Sequence, residues 1–209
     1  MPRTEDEARL LELLRERAHV RGTFTLASGK TSDFFIDCKR VLLLAEGHRL
    51  AGRAIFARLA GAPIVAVAGV ELGGCPLASS VAFASASLGD SAAPGDSATP
   101  GDSAARADRA TGRSPLDALY VRKSAKDHGT KKLIEGGSHL PQGSKVALLE
   151  DVVTSGGSSL RAIAELRAAG YEVERVVAIV DRDEGAAAAF LDAKVPFSSL
   201  FSRNDFDLG

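Results

Sequence analysis

The chain has 209 residues, 45% of them hydrophobic and 25% charged, which suits one domain with a sizeable core, alone or with an appendage. Its 26 basic and 27 acidic residues leave a net charge of -1, which excludes a global pull towards nucleic acid and confines any phosphate site to a local cluster. No apolar run approaches the roughly 20 residues of a spanning helix, and the acid-rich start Met1-Pro-Arg-Thr-Glu-Asp-Glu lacks a signal-peptide apolar region, so no membrane association and a cytoplasmic location are expected.

Residues Glu5 to His19 place leucines at helical spacing among Arg and Glu, which predicts an amphipathic surface helix. Arg21 to Asp37 reads as short β-prone pieces around a Ser28-Gly29 turn. Cys38 and Cys75 lack metal-ligand spacing and are read as free thiols. A second helix is predicted from about Glu46 to Ala60, stopping at Gly61 ahead of Pro63. Ile64-Val-Ala-Val-Ala-Gly-Val70 is apolar throughout, as a strand covered on both faces should be.

A helix of small residues follows near Pro76 to Ala84, and then composition shifts. Gly-Asp-Ser-Ala recurs at Gly89, Gly95 and Gly101, and the segment from about 86 to 114 has almost nothing to bury. It is expected to be a disordered loop insertion that interrupts one domain spanning 1–209. Further strands are predicted at Leu116 to Val121, Lys145 to Leu149 and Val173 to Val180, with a helix from Leu160 to Ala169 closed by Gly170. Strand, helix and strand in that order imply a right-handed parallel crossover, so the fold class is α/β.

Two stretches carry chemistry. In Glu150-Asp-Val-Val-Thr-Ser-Gly-Gly-Ser158 two acids stand at the carboxyl end of a strand, where open α/β sheets bind ligands. Hydroxyls and glycines lead from there into a helix start, an anion cradle of backbone N–H groups. Neither a Walker loop nor a dinucleotide fingerprint is present. A phosphorylated sugar meets both demands, its phosphate in the turn and its hydroxyls facing the acids. The plainer alternative is solvated acids followed by a helix capped by Ser158 or Ser159. The second stretch, Val121-Arg-Lys-Ser-Ala-Lys-Asp-His-Gly-Thr-Lys-Lys, concentrates cations with glycine and His128. A mobile loop of that kind neutralises charge on a departing diphosphate and excludes water, whereas a solvated face is the default for a charge run.

The first stretch resembles the phosphoribosyl-diphosphate (PRPP) signature of the type I phosphoribosyltransferases, with Glu150 in place of the usual aspartate. Arg122-Lys-x-x-Lys-x-His-Gly, the segment Phe24 to Asp37 and Asp181-Arg182 resemble the orotate phosphoribosyltransferase branch. The resemblance implies a parallel-sheet type I fold with a small N-terminal hood, and an enzyme that joins orotate to PRPP with Mg²⁺, giving orotidine 5'-monophosphate and pyrophosphate for pyrimidine synthesis. It also implies a homodimer with shared active sites, and a metal held mainly through PRPP rather than by the protein. Carried over by position, Glu150 and Asp151 hold the ribose hydroxyls, and Val152, Val153, Thr154, Ser155, Gly156, Gly157 and Ser158 complete the loop around the 5-phosphate. Arg122, Lys123, Lys126 and His128 engage pyrophosphate, with Lys126, His128 and Asp151 as the catalytic set. Thr154 and Arg182 contact orotate, with Phe35 and Ile36 lining the base pocket.

The alternative for Arg182 is a surface ion pair with Asp181 or Asp183. Relatives carry lysines where this chain has Ala27 and Gly73; Lys30 is a candidate replacement for the first, and Gly73 with Gly74 offers a backbone nest for the second. Two other functions remain open from the residues: a purine phosphoribosyltransferase, and a PRPP-binding regulator without chemistry.

Overall fold

The computed structural model describes residues 3–25, 31–89, 114–124 and 132–206. Helix α1 (Glu5–Arg17) is followed by a hairpin of β1 (His19–Thr25) and β2 (Thr31–Ile36), then α2 (Lys39–Leu42), α3 (Ala45–Arg58), β3 (Ala66–Val70) and α4 (Gly74–Gly89). Beyond the repeat come β4 (Asp117–Val121), β5 (Ile134–Glu135), β6 (Lys145–Val153), α5 (Gly157–Ala168), β7 (Glu172–Asp181), α6 (Ala186–Asp192) and β8 (Phe197–Ser202). The Ser28-Gly29 turn, Ala27, Lys30 and residues 90–113 of the predicted insertion lie outside the described residues.

Thr4 starts α1 by a reciprocal cap: the Glu7 N–H donates to the Thr4 hydroxyl at 3.2 Å and the Thr4 N–H to the Glu7 carboxylate at 3.1 Å. Glu7 also receives Arg58 at 2.8 Å, which ties the start of α1 to the end of α3.

Among the described residues the main sheet runs β5-β4-β3-β6-β7-β8, parallel except at β5. The central strands β3, β6 and β7 are largely apolar on both sides because both sides are covered. Along β6, Ala147 and Leu149 join the core under α1, α3 and α4 with Leu14, Ile55, Leu77 and Phe201. Val146 and Leu148 alternate into the core under α5 and α6 with Ile163, Leu166 and Phe190. The outcome is a three-layer α/β/α domain.

Several boundaries differ from expectation. Strand β6 continues beyond Leu149 to Val153, because β7 pairs with it as far as Val153 and Asp181. The small-residue helix is longer than predicted, since α4 runs from Gly74 to Gly89 and takes in the first glycine of the repeat. Helix α5 begins three residues early, at Gly157. No helix among the described residues is long and apolar enough to cross a membrane.

Candidate active site

The order of the strands locates the site. From β3 the chain crosses outward to β4, and from β6 it crosses the opposite way to β7, so the connections diverge between β3 and β6. The crevice beyond the carboxyl ends of those two strands is the switch point at which α/β sheets take their ligands. The loop after β3, Glu71 to Gly73, and the turn after β6, Thr154 to Gly156, both open there.

The two loops approach within contact distance. A methyl group at Gly73 would lie 2.0 Å from the Asp151 carboxylate, so only glycine fits. The loop after β3 is also tied to the segment after β4: Glu71 N–H donates to Val121 O at 2.9 Å, and Lys123 N–H donates to the Glu71 carboxylate at 2.9 Å. On the other side, Arg182 N–H donates to Val153 O at 3.0 Å, which brings Arg182 alongside the Thr154 turn.

Gly156 adopts the left-handed conformation, φ 80, and has no side chain with which to cap α5. The plainer alternative had Ser158 or Ser159 as the cap; they lie inside the first turn instead, and both turn back to Glu150. The Ser159 hydroxyl donates to Glu150 Oε1 at 2.7 Å and the Ser158 hydroxyl to the same oxygen at 3.2 Å. The first N–H groups of α5 therefore have no side-chain cap from Gly156, the kind of helix start that suits an anion.

The acids sit in poorly solvated surroundings. Glu150 is 4% exposed, and burial pushes its carboxyl up to about 7, opposed by the Ser159 hydroxyl and reinforced by the Asp151 charge. Burial also raises Asp151, while a backbone bond and the Lys39 ammonium pull it down. Lys39, which sequence reasoning missed, pairs with Asp37 at 2.6 Å just after β2. Its signal, Asp37-Cys-Lys-Arg40 directly after a hairpin, has no meaning until the fold brings Lys39 within electrostatic reach of Asp151. Burial raises the Cys38 thiol as well and pushes Cys75 up to about 11; both are free thiols, as expected.

Arg182 is 7% exposed and pairs with Glu184 at 2.7 Å, where the alternative reading had an ion pair with Asp181 or Asp183. Asp181 is instead occupied by the Asp183 N–H at 2.9 Å. The Arg182 guanidinium stands 5.7 Å over the Phe34 ring, joining the hairpin to the end of β7. In β2, side chains alternate: Phe34 and Ile36 are buried and Phe35 is 38% exposed, so Ile36 packs in the core while Phe35 faces outward. Arg122 turns to Glu135, with nitrogen and oxygen 3.6 Å apart. Lys126 and His128 lie outside the described residues.

A turn of hydroxyls, glycines and helix-start N–H groups beside carboxylates suits a ligand with an anionic tail and a hydroxylated ring. On this sheet order, that pairing is the mark of the type I phosphoribosyltransferase class.

No protein-family model matches the chain. It is 46% identical to the orotate phosphoribosyltransferase of Sorangium cellulosum, over 96% of this chain and 93% of that one. Its structure is similar to the orotate phosphoribosyltransferase of Mycobacterium tuberculosis H37Rv in complex with Fe(III) dicitrate, with a TM-score of 0.73 and 33% identity, covering 97% of this chain and 99% of the other. The same bacterial protein in complex with PRPP gives a TM-score of 0.69 at 29% identity, covering 97% and 99%. The chain belongs to the orotate phosphoribosyltransferase family.

Proposed function

We propose that this chain transfers the 5-phosphoribosyl group of PRPP to orotate, forming orotidine 5'-monophosphate and pyrophosphate. The observation that carries the reading is the switch-point crevice, where the turn from β6 into α5 follows Asp151, which lies against Gly73, and Arg182 N–H bonds to Val153 O. The Thr154 to Ser158 turn takes the 5-phosphate through backbone N–H groups and hydroxyls. Asp151 faces the ribose diol, and the planar Arg182 guanidinium receives the orotate carboxylate. Phe34 holds that guanidinium from the hairpin side.

In the reaction the C1–O bond to the diphosphate breaks as the bond from C1 to orotate N1 forms, and N1 loses its proton. Charge builds on the sugar and on the leaving group together. Positioning of the two reactants does most of the work. Arg122, Lys123, Lys126 and His128 neutralise the leaving diphosphate, and Gly73 with Gly74 presents N–H groups from the opposite wall.

Among the described residues no group of three or more His, Cys, Asp or Glu is placed to hold a metal. A Mg²⁺ would be held mainly on the oxygens of PRPP, where it would offset the diphosphate charge. The protein's own part is to hold the donor. The exposed Leu43 and Phe83 offer apolar surface for a second copy to cover, consistent with a homodimer. The cytoplasm is the compartment in which such charged metabolites are made and consumed.

Mixing the chain with PRPP, Mg²⁺ and orotate should remove the orotate absorbance, with hypoxanthine and uracil inert in parallel. Turnover of hypoxanthine in place of orotate would overturn the assignment.

A further inference from the structure

Two guanidinium groups converge on one buried ring. Strands β7 and β8 are parallel and paired, with Asp181 opposite Ser202, so the next residues, Arg182 and Arg203, leave neighbouring strands at the same level of the sheet. Their guanidinium carbons stand 5.7 and 5.5 Å from the centroid of the Phe34 ring, which is buried in β2. Arg182 is buried and Arg203 half-buried, so the two charges meet where water screens them poorly. Arg203 belongs to none of the sequence motifs.

We infer that Arg203 is a specificity-determining residue for the acceptor: together with Arg182 it forms a two-cation cradle, held on Phe34, that selects a base carrying a carboxylate. This rests on the orotate reading and deepens it, because a second cation reads the charge of the acceptor rather than the shape of its ring.

The backbone that carries Arg203 is fixed by other groups. Arg203 opens a short 3-10 turn, Arg203–Asp205, in which Ser202 N–H donates to the Asp205 carboxylate at 2.9 Å. From α1 the Arg15 guanidinium donates twice to Asp205 O, at 2.8 and 2.6 Å, and Arg3 pairs with the Asp205 carboxylate. Phe206 is buried and packs edge to face against Phe34, with centroids 5.7 Å apart. The turn therefore keeps its shape with a neutral residue at 203, and the charge there serves another purpose. Like charges gathered at one ring repel each other. The ring quadrupole lowers that cost, and an arriving carboxylate, attracted by both cations, removes it. A neutral pyrimidine such as uracil gains nothing from either.

Charge and shape separate in steady-state kinetics of the full chain with PRPP, Mg²⁺ and orotate. The wild type is compared with Arg203→Gln, Arg203→Met and Arg203→Lys at low and high salt, and circular dichroism follows the fold of each. The two neutral variants should raise the KM for orotate about tenfold at low salt and leave the KM for PRPP within about twofold. Their deficit should shrink at high salt, where counterions screen the attraction in the wild type. Arg203→Lys, which keeps the charge, should stay within about threefold of wild type; a turn that needed arginine only for packing would show no such rescue. An orotate KM within about twofold of wild type in both neutral variants would overturn the inference and leave the orotate reading intact. A lysine variant as impaired as the neutral ones would do the same, as would loss of fold in both neutral variants. A wild type that turns over no orotate would remove the orotate reading and this inference together.

Discussion

Glu150 is a buried carboxyl, and the effect of its burial has a sign. A carboxyl held at about 7 in the folded chain, against an ordinary value of 4.5, keeps its proton over a range where the unfolded chain has released it. Stability therefore falls as pH rises from about 4.5 to 7, and a penalty on the order of 3 kcal/mol is fully present above that. Glu150→Gln should accordingly raise the melting temperature by several degrees at pH 8 and give no gain near pH 4; equal gains at both, in a thermal scan, would refute this account. Arg182 supports a second expectation at the same scale. Its alanine variant should raise the KM for orotate more than about tenfold while that for PRPP stays within about threefold, and lysine should not rescue it, because a point charge cannot pair two-fold with a carboxylate. These residues were legible in the sequence as chemistry. Their partners were not: Glu184 for Arg182, and Ser158 with Ser159 for Glu150, follow from how the turn after β6 folds.

Two contacts between elements lend themselves to test. Gly73 brings the loop after β3 against Asp151 at a distance that leaves no room for a methyl group. Gly73→Ala should displace the carboxylate and raise the KM for PRPP at least about tenfold, measured in steady state; an unchanged value would mean that this approach is irrelevant to the donor. Thr4→Ala is the control far from the crevice. It removes the cap of α1 and should lower stability by about 1 kcal/mol, seen as a small fall in denaturation midpoint, with turnover unaffected. Long periodic or continuously apolar elements were readable, as α1, α3, β3, β6 and β7 attest. The short α2, β5, α6 and β8 carry too few residues for a period to emerge, and tertiary packing decides them.

At the scale of the whole molecule, the proposed shared site predicts complementation. Lys126→Ala and Arg182→Ala chains, each with little activity alone, should regain about a quarter of wild-type turnover after subunit exchange, since half the random dimers carry one intact site. No recovery, with mixed dimers demonstrated, would place the loop in its own subunit's site.

The apolar runs, the glycine breaks and the acid-then-hydroxyl string determined by themselves that this is an α/β chain with an acidic pair and a glycine-hydroxyl turn at the end of a strand, because periodicity and local backbone preference act over a few residues. Only the tertiary structure decided that β3 lies beside β6, that Gly73 touches Asp151, and that adjacent acids leave β6 on opposite faces to different partners. Those contacts join segments far apart in the chain, and their energies depend on burial and distance, which no local pattern records.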